Sequence, residues 1–434
     1  MFIARVSPFI PALYDQSTQP SRHIVIGITH PQTCLTLTGR LAALREAGFR
    51  VTLISSPGEL LDEIALREGV ETIALPMQRE IAPWADLVSL IRLWLALMRL
   101  RPDVAEFSTP KAGLLGSLAA WCARVPARVY MLRGLKLETS TGFRRALLLA
   151  AERVSAACAQ VVLCNSPSMQ AEAVALGVAP ARKIRLLGEG SSNGVSMRRF
   201  SPGPSKVRRE LDIPAGAPVV GFVGRLTRDK GVPELVESFD TILRFAPEAH
   251  LLLVGWFDVA EDALDSSVRE SIQSNSRIHC TGFVADTAPY YRAMDMMVLP
   301  SWREGFPNVV LEAAATGIPV ITTESTGSRD SVVPEVTGFL IPPGYPDAIT
   351  EAVLKLLRDP ARRLRMGRAA REWVGLHYSD DRVLRLATEF YRSLLKPLAA
   401  PRNSLAWPVS SGIALRRRGA SNAEFPVEKP RPVR

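Results

Sequence analysis

The 434-residue chain is longer than one hydrophobic core normally serves, so its length predicts two domains. Its composition is that of a globular protein, and its formal net charge is +10. Residues 401–434 alone hold seven Lys or Arg and two Glu, which is half of that surplus. The remaining positive charge suits an anionic ligand or an anionic membrane surface and is too diffuse to indicate nucleic acid.

Short runs of β-branched and aliphatic residues alternate with helical patterns along most of the chain. The runs of the first half begin at residues 23, 50, 71, 103, 127, 160 and 183, and those of the second half at 218, 250, 277, 296, 318 and 338. Near-continuous apolar strands separated by helices are typical of parallel sheets covered on both faces. The pattern therefore predicts an α/β protein with two Rossmann-like, doubly wound parallel-sheet domains.

A segment rich in Pro, Gly and charge, residues 199–217, separates the two halves. We expect an N-terminal Rossmann-like domain over 22–198 and a C-terminal one over 199–378. A last helical pattern over 379–396 predicts a C-terminal helix that can cross back to the N-terminal domain. Residues 397–434 are basic and rich in Pro and Arg without periodicity, which predicts a disordered tail.

The segment VVGFVGRLTRDKG (219–231) ends a predicted strand with Gly224, Arg225 and Lys230, and Gly231 opens the next helix. Two cations beside a helix N-terminus form a site for a diphosphate. An exposed basic loop is the alternative interpretation for any single Arg or Lys. The segment is neither a Walker loop nor a GxGxxG fingerprint, so an NAD-linked dehydrogenase of similar architecture is disfavoured.

Glu304 and Glu312 follow the strand-like run MMVLPS, the first in a loop and the second on the helix after Pro307. In open α/β sheets this junction is the carboxyl end of a strand, where ligands bind. Carboxylates on one side of such a junction can both accept hydrogen bonds from the hydroxyls of one polyol. A solvated loop glutamate and an ordinary helix glutamate are the alternative, which the basic motif in the same half makes the weaker interpretation.

These motifs resemble the retaining glycosyltransferases of family four, which have the GT-B fold with two domains facing a central cleft. The resemblance covers roughly residues 22–395. It implies that Glu304 contacts the transferred sugar, Glu312 the ribose, and Arg225 and Lys230 the diphosphate leaving group. The expected donor is a UDP-sugar. Further donor-binding positions are expected at the same strand ends and helix start: Gly224, Gly305, Phe306, Asn308, Phe283 and Val284.

Four segments of the first half resemble one bacterial subgroup of that family: TPKAGLLGSLAA (109–120), RGLKLE (133–138), NSPSM (165–169) and GEGSSNGV (188–195). Those relatives extend undecaprenyl-diphosphate-linked sugars in polysaccharide or glycan assembly. The resemblance therefore implies that the first half binds a lipid-linked saccharide acceptor.

Single residues in these segments allow local predictions. Lys111 follows Thr109, which has the character of an N-cap, and can hold an acceptor phosphate; a capped structural helix with a solvated lysine is equally consistent. Arg133 stands where many relatives carry a histidine and can face a phosphate. Ser192 and Asn193 offer hydrogen bonds in a turn-forming segment, for which a plain interdomain turn is the alternative.

The sequence offers little to a metal ion. It contains no Asp-x-Asp, and its five histidines are scattered. We therefore expect no catalytic metal and no cofactor besides the nucleotide-sugar substrate, with Arg225 and Lys230 balancing the charge of the diphosphate.

The N-terminus lacks the apolar core and cleavage site of a signal peptide, and no stretch reaches the roughly eighteen apolar residues of a membrane span. The five cysteines form no CxxC pair and lie within apolar runs, as buried cysteines do in a reducing compartment. We expect a cytoplasmic enzyme, peripheral on the cytoplasmic face of a bacterial inner membrane.

Two predicted helices can contact a bilayer. Residues 86–101 are apolar apart from a narrow polar stripe, and a core-facing helix explains them at least as well. Residues 143–157 place Arg144 and Arg145 beside bulky apolar side chains, which fits an interfacial helix slightly better.

Taken together, the sequence predicts a retaining, metal-independent hexosyl- or N-acetylhexosaminyl-transferase. It would move a sugar from a UDP-sugar, bound by the second half, to a polyprenyl-diphosphate-linked saccharide, bound by the first. A glycosyltransferase with a soluble small-molecule acceptor is one alternative. A catalytically inactive nucleotide-sugar-binding protein is another, which the complete set of Glu, Arg and Lys disfavours.

Overall fold

The computed structural model describes residues 21–78, 80, 82–258 and 262–395, whose strands form two parallel sheets. The first sheet contains seven strands: His23–Gly27 (β1), Arg50–Ser55 (β2), Glu71–Ala74 (β3), Val104–Ser108 (β4), Ala127–Leu132 (β5), Val161–Cys164 (β6) and Ile184–Leu186 (β7). The second contains six: Val219–Val223 (β8), His250–Val254 (β9), Ile278–Cys280 (β10), Met296–Leu299 (β11), Val320–Thr323 (β12) and Gly338–Ile341 (β13).

Both sheets are doubly wound, as predicted. The strand orders are β3-β2-β1-β4-β5-β6-β7 and β10-β9-β8-β11-β12-β13. Each order reverses direction once, between β1 and β4 in the first sheet and between β8 and β11 in the second. A crevice opens at such a reversal, at the carboxyl ends of the strands, and ligands bind there. Each of the thirteen apolar runs contains one of the observed strands.

Helices cover both faces of the sheets. Those that accompany the first sheet are Arg40–Glu46 (α1), Glu59–Glu68 (α2), Pro83–Leu100 (α3), Pro110–Cys122 (α4), Gly142–Cys158 (α5) and Pro167–Ala175 (α6). Those that follow are Val207–Glu210 (α7), Val232–Phe245 (α8), Ser266–Ser274 (α9), Ala288–Tyr291 (α10), Asn308–Thr316 (α11), Pro346–Arg358 (α12), Pro360–Tyr378 (α13) and Asp380–Leu394 (α14).

Alternate residues of β1 point to opposite faces of the first sheet. Ile24 packs in a cluster with α1 and α2, whereas Val25 packs in a cluster with α3 and α4. Phe107 fills the second cluster because two glycines leave room for its ring. A Cβ on Gly27 would lie 2.2 Å from that ring, and one on Gly116 would lie 2.0 Å from it. The glycine in β1 and the glycine in α4 thus set the closeness of strand and helix.

The last described helix, α14, returns to the first sheet. Tyr391 on α14 donates a hydrogen bond to Glu106 of β4 and accepts one from Arg40 of α1 at 2.7 Å. Arg40 and Glu106 also form a buried ion pair at 2.8 Å. The predicted disordered tail, 397–434, lies outside the described residues.

All five cysteines are free thiols, but the prediction that they are buried is only partly right. Cys34, Cys158 and Cys164 are buried, whereas Cys122 and Cys280 are exposed. Cys122 is the last residue of α4, and Cys280 is the last residue of an edge strand, β10. Both thiols are exposed because they lie at the ends of elements at the border of the hydrophobic core. Within the described residues, no helix has the length and apolar character needed to cross a membrane.

Candidate active site

The loops after β8 and β11 meet at the point where the second sheet reverses its strand order. The two strands are neighbours, with Met297 opposite Gly221, so their carboxyl ends emerge side by side. Gly231 brings the loops into contact: its backbone is left-handed, with φ +72°, and a Cβ there would lie 2.2 Å from the carbonyl oxygen of Pro300. A residue with a side chain would force the loops apart.

Lys230 and Glu304 form an ion pair across these loops. The Nζ of Lys230 lies 2.5 Å from Oε1 of Glu304, and the side chains are only 18% and 13% exposed. The hydroxyl of Ser301 donates to the same oxygen at 2.8 Å. The predicted diphosphate cation and the predicted sugar carboxylate are therefore partners of each other in the structure.

Arg225, the other predicted diphosphate cation, is paired with a carboxylate as well. Its NH1 donates to Oδ2 of Asp258 at 2.7 Å. Nearby, the buried Asp229 accepts from Thr227 at 2.6 Å and pairs with Arg303 at 3.0 Å. Burial alone would raise the pKa of Asp229, but the Thr227 hydroxyl and the charges of Lys230 and Arg303 outweigh it and lower the pKa.

Glu312 has a different environment on α11. The hydroxyl of Tyr291 donates to its Oε2 at 2.8 Å. Burial raises the pKa of Glu312 to about 7, although the hydrogen bond from Tyr291 favours the ionised form. Its carboxyl group therefore exchanges a proton near neutral pH. The structure thus gives Glu304 a lysine partner and Glu312 a tyrosine partner.

Gly305 is where the two halves of the chain touch. A Cβ on Gly305 would lie 1.8 Å from the carbonyl oxygen of Arg133, which follows β5, and 3.0 Å from Nδ2 of Asn165, which follows β6. On its other side, a Cβ on Gly327 would lie 2.2 Å from the carbonyl oxygen of Gly305. The loop that carries Glu304 is therefore clamped between main-chain atoms of both halves, with no space for a side chain at Gly305.

Phe306 and Asn308 follow this loop and point in different directions. The ring of Phe306 is buried against Tyr378, with ring centroids 5.1 Å apart, so only its main chain can contribute to a donor site. Asn308 is the first residue of α11, and its Nδ2 donates to Oδ1 of Asn193 at 3.0 Å. That hydrogen bond joins a residue predicted to bind the sugar donor, Asn308, to a residue predicted to bind the saccharide acceptor, Asn193.

Phe283 and Val284 follow β10 at the same edge of the second sheet. Phe283 is exposed and stands edge-to-face with Trp256, which follows β9, with centroids 5.5 Å apart. Val284 packs against the core. An exposed aromatic ring can stack on a nucleobase. Of these two predicted donor-binding residues, Phe283 is therefore the one whose side chain is available for such a contact. Gly224, with φ +152°, lies between β8 and Arg225 and donates its N–H to Val254 at 3.0 Å.

In the first half, Lys111 is held by an ion pair. Its Nζ lies 2.5 Å from Asp86 of α3 and donates to the carbonyl of Glu80 at 2.6 Å. The neighbouring Thr109 occupies the N-cap position of α4 as predicted, but its side chain does not cap the helix. The hydroxyl of Thr29 does so instead, accepting from the N–H of Ala112 at 3.0 Å.

Arg133 lies beside Ser192, to whose Oγ its NH1 donates at 2.8 Å. Its Nε and NH2 are buried and have no hydrogen-bond partner among the described residues. Burial, and then the charge of Arg40, lower the pKa of Arg133 to about 10, so the guanidinium is charged at neutral pH. Buried donors without partners favour the binding of an anion or of ordered water.

Several site residues were not found from the sequence. They are the partners of predicted residues: Asp258, Ser301, Tyr291, Asn165 and Gly327. Asp258 and Ser301 follow strand ends, which was a usable signal. Gly327 likewise follows β12, and Asn165 follows β6, whereas Tyr291 lies on α10, whose contact with Glu312 no local spacing indicates. Within the described residues, no three His, Cys, Asp or Glu side chains are grouped as metal ligands would be.

Two family models match the chain. Residues 217–359 match glycosyl transferases group 1, and residues 37–190 match a glycosyl transferase 4-like domain. The capsular polysaccharide biosynthesis glycosyltransferase CapM of Staphylococcus aureus is 33% identical over 361 residues, covering 83% of this chain and 94% of CapM. The chain belongs to this glycosyltransferase family.

Two further proteins are similar to the glycosyltransferase. An Escherichia coli UDP-Gal:alpha-D-GlcNAc-diphosphoundecaprenol alpha-1,3-galactosyltransferase is 27% identical over 356 residues, covering 78% of this chain and 90% of the relative. The crystal structure of Anabaena HepE with UDP-glucose superposes with a TM-score of 0.71 at 20% identity, covering 85% of this chain and 99% of HepE. The glycosyltransferase therefore has the expected GT-B fold.

Proposed function

We propose that the enzyme transfers a sugar, with retention of configuration, from a UDP-sugar to a saccharide carried on polyprenyl diphosphate, in the assembly of a capsule or related cell-surface glycan. The observation that carries the proposal is the Lys230–Glu304 ion pair at the strand-order reversal, with Arg225 alongside. The name of the Escherichia coli relative supports both the UDP-sugar and the lipid-linked acceptor, and that of CapM supports the capsular context.

The Lys230–Glu304 ion pair becomes a binding site for the nucleotide-sugar when each of the two side chains exchanges its present partner for a group of the ligand. A nucleotide-sugar diphosphate carries about two negative charges, which Lys230 and Arg225 can balance once Lys230 leaves Glu304. Glu304 is then released to accept hydrogen bonds from hydroxyls of the sugar. Glu312 on α11 accepts hydrogen bonds from the ribose hydroxyls.

The chemical step needs no separate carboxylate base. The bond between the anomeric carbon and the diphosphate oxygen breaks, and the acceptor hydroxyl oxygen attacks the same face of the sugar. The acceptor proton passes to the departing diphosphate oxygen, so atoms and charges balance. Lys230 and Arg225 stabilise the charge that develops on the diphosphate, and Glu304 positions the sugar.

Metal independence follows from the same charge balance. Two fixed cations replace the divalent ion that other enzymes use to neutralise a diphosphate leaving group. Transfer should therefore continue when a chelator such as EDTA is added to the metal-free buffer, and loss of activity that Mg²⁺ or Mn²⁺ restores would contradict this part of the proposal.

The acceptor site is proposed in the first half, with Arg133, Ser192 and Asn193 facing the donor loop. Arg133 is the proposed phosphate contact because it has buried N–H groups without partners. Lys111 is less available for that role, since its charge is already paired with Asp86. We propose that the enzyme works on the cytoplasmic face of the inner membrane, where the lipid-linked acceptor is held.

The test is a thermal-shift screen of UDP-, GDP- and ADP-sugars, followed by transfer assays with the donor that stabilises the protein. Mass spectrometry of a short-chain polyprenyl-diphosphate saccharide should show the mass of one added sugar, and NMR should show the anomeric configuration of the donor. Transfer only to water-soluble acceptors would replace the lipid-linked acceptor in this proposal. Donor binding without hydrolysis or transfer would indicate an inactive binding protein.

A further inference from the structure

The outer face of α3 is apolar along most of its length. Its inner face buries Ser89, Leu93 and Leu97 against the first sheet. Large apolar side chains occupy the opposite side at helical spacing and are exposed: Trp84, Leu87, Val88, Ile91, Trp94, Leu95 and Met98. From Trp84 to Met98 this stripe is about 21 Å long at the rise of an α-helix. A helix that is apolar on both faces needs a second partner besides its own sheet.

A second exposed apolar stripe runs along α5. Phe143, Leu147 and Val154 share one side of that helix and are all exposed. Helix α4 lies between α3 and α5 and packs against both. The two stripes therefore belong to one face of the molecule. The sequence slightly favoured α5 as an interfacial helix and left α3 open between a core-facing role and membrane docking; of the two, α3 presents the longer exposed apolar stripe.

Both helices begin at the edge of the first sheet where ligands bind. Each follows a parallel strand, so each starts at the carboxyl ends of the strands and runs back along the sheet. The ion pair between Asp86 and Lys111 fixes the first turn of α3 beside the start of α4. Trp84 and Phe143 lie in the first turns of α3 and α5, and each is 83% exposed. The two most exposed aromatic side chains of this face thus stand at its cleft-side rim.

The exposed charges on these two helices are positive. Arg92 and Arg99 are exposed on α3, and Arg144 and Arg145 are exposed in the first turn of α5. Each helix has a single acidic residue. Asp86 on α3 is paired with Lys111, and Glu152 on α5 accepts a hydrogen bond from the buried Tyr130. Helices α3 and α5 therefore combine exposed aromatic and aliphatic side chains with exposed arginines, and neither helix carries an exposed carboxylate.

We propose that the outer faces of α3 and α5 form one bilayer-docking surface, with Trp84 and Phe143 inserted at headgroup level beside the mouth of the cleft. The inference rests on the proposed function, because a polyprenyl-linked acceptor must pass from the bilayer into the cleft. Aromatic side chains favour the interface between headgroups and acyl chains, and arginines bind anionic lipid headgroups.

A bilayer fits this surface better than a second protein does. The stripe lies along the whole of an 18-residue helix that is bordered by arginines, and a flat, anionic partner matches both features. Two copies of the chain meeting through this face would bring their arginines together, which costs free energy.

Co-sedimentation of the full-length chain with vesicles tests the proposal. The wild-type chain should bind vesicles of phosphatidylglycerol and phosphatidylethanolamine and bind phosphatidylcholine vesicles weakly. The double variant Trp84→Glu/Phe143→Glu should lower the partition coefficient by about tenfold or more. The double variant Arg92→Glu/Arg99→Glu should lower it most at low salt, because its contribution is electrostatic.

A matched control places the same charge elsewhere. Leu66 on α2 is 76% exposed, and α2 packs on the opposite face of the first sheet. Leu66→Glu should sediment like the wild type. Thermal-shift stabilisation by a UDP-sugar shows that each variant is folded.

Three results would overturn the proposal. The first is wild-type protein that does not bind anionic vesicles, or a Trp84/Phe143 variant that binds them normally. The second is loss of binding only when the tail arginines Arg416, Arg417 and Arg418 are changed to Glu. The third is a wild-type dimer that the Trp84/Phe143 substitutions convert to a monomer, which would identify a second copy as the partner.

Activity measurements separate this proposal from the proposed function. The Trp84→Glu/Phe143→Glu variant should transfer sugar normally to a detergent-soluble, short-chain acceptor and several-fold more slowly to the same acceptor embedded in vesicles. Vesicle binding that behaves as expected, in a protein that transfers to no lipid-linked acceptor, would refute the proposed function and leave the docking surface intact.

Discussion

The Nζ of Lys230 and Oε1 of Glu304 are 2.5 Å apart, so each charged group is the other's partner. Neither charge is freely solvated, and neither is fully buried. In the proposed function this pair opens on donor binding: the diphosphate replaces the carboxylate as the partner of Lys230, and the sugar hydroxyls replace the ammonium as partners of Glu304.

Removing either member should stop catalysis without unfolding the protein. We expect Lys230→Ala and Glu304→Ala each to reduce kcat about a hundredfold or more, because the first removes a group that stabilises developing charge and the second a group that positions the sugar. Each single variant should also lose about 1 to 2 kcal/mol of stability, since a partly buried charge is left without its partner. Steady-state kinetics and thermal unfolding measure both effects.

The double variant Lys230→Met/Glu304→Gln separates the two effects. It leaves no unpaired charge, so its stability should recover toward the wild type while its activity stays lost. Near-wild-type turnover in either single variant would refute the assignment of these residues to the donor site.

Donor affinity should depend on pH through Glu312. Burial raises its pKa to about 7 in the free enzyme, and hydrogen bonds from ribose hydroxyls would favour the ionised form. The affinity for a UDP-sugar should therefore be highest above pH 7 and fall as the pH drops below it, by up to about tenfold per pH unit. Titration calorimetry across this range measures the affinity and the proton released on binding. In Glu312→Gln the profile should be flat; an unchanged profile would show that another group is responsible.

The same carboxyl group should affect stability in the opposite direction. Its pKa is raised above the ordinary value, so the folded protein holds this proton more tightly than the unfolded chain does. The stabilisation is complete below about pH 4, the ordinary glutamate pKa, and is lost as the pH rises through 7. Glu312→Gln should therefore lose less unfolding free energy than the wild type between about pH 5 and pH 8, measured by denaturant unfolding.

Gly305→Ala should impair the enzyme severely. The added methyl group would lie 1.8 Å from the carbonyl oxygen of Arg133, so the donor loop or the loop after β5 must move. A shift of about 1 Å at the reacting centre can cost about a hundredfold in rate. Gly216→Ala is the control, because a Cβ there meets nothing within 4 Å. Equal activity of the two variants would show that the clamp around Gly305 is not needed.

Arg133 should determine acceptor binding. Loss of a charged hydrogen bond costs about 1.5 to 3 kcal/mol, which corresponds to a rise of about tenfold to a hundredfold in the KM for a diphosphate-linked acceptor. Arg133→Met should show this rise, with donor hydrolysis unchanged. Arg133→Lys, which keeps the charge, should recover part of the affinity. An effect of Arg133→Met on donor KM alone would assign the guanidinium to the donor instead.

The sequence was sufficient for the fold because the central strands of both sheets are buried on both faces. Strands such as β8 and β9 are buried along their entire length, so their residues form unbroken apolar runs that can be recognised locally. Gly224, Arg225, Lys230 and Glu304 were selected as candidates for a related reason. Their motifs directly follow such strands, and the ligand-binding edge of a parallel sheet is known once the strands are known.

Partners that lie far away in the chain could not be predicted. Tyr291 reaches Glu312 from α10, and Asn165 reaches Gly305 from the other half of the molecule. Such contacts depend on how the two sheets face each other, which no local pattern specifies. The role given to Thr109 shows the same limit, because the hydroxyl that caps α4 belongs to Thr29, eighty positions earlier.

The return of α14 to the first sheet has a practical consequence for engineering. A hybrid enzyme that takes its acceptor half from one relative and its donor half from another cannot be made with a single crossover in the linker. Tyr391 would then contact the residues that the foreign half carries in place of Arg40 and Glu106. The site is buried, so polar groups left without a matching partner there would cost stability. The recipient of a new acceptor half should also receive the matching α14, so that two separate stretches of the gene are exchanged together.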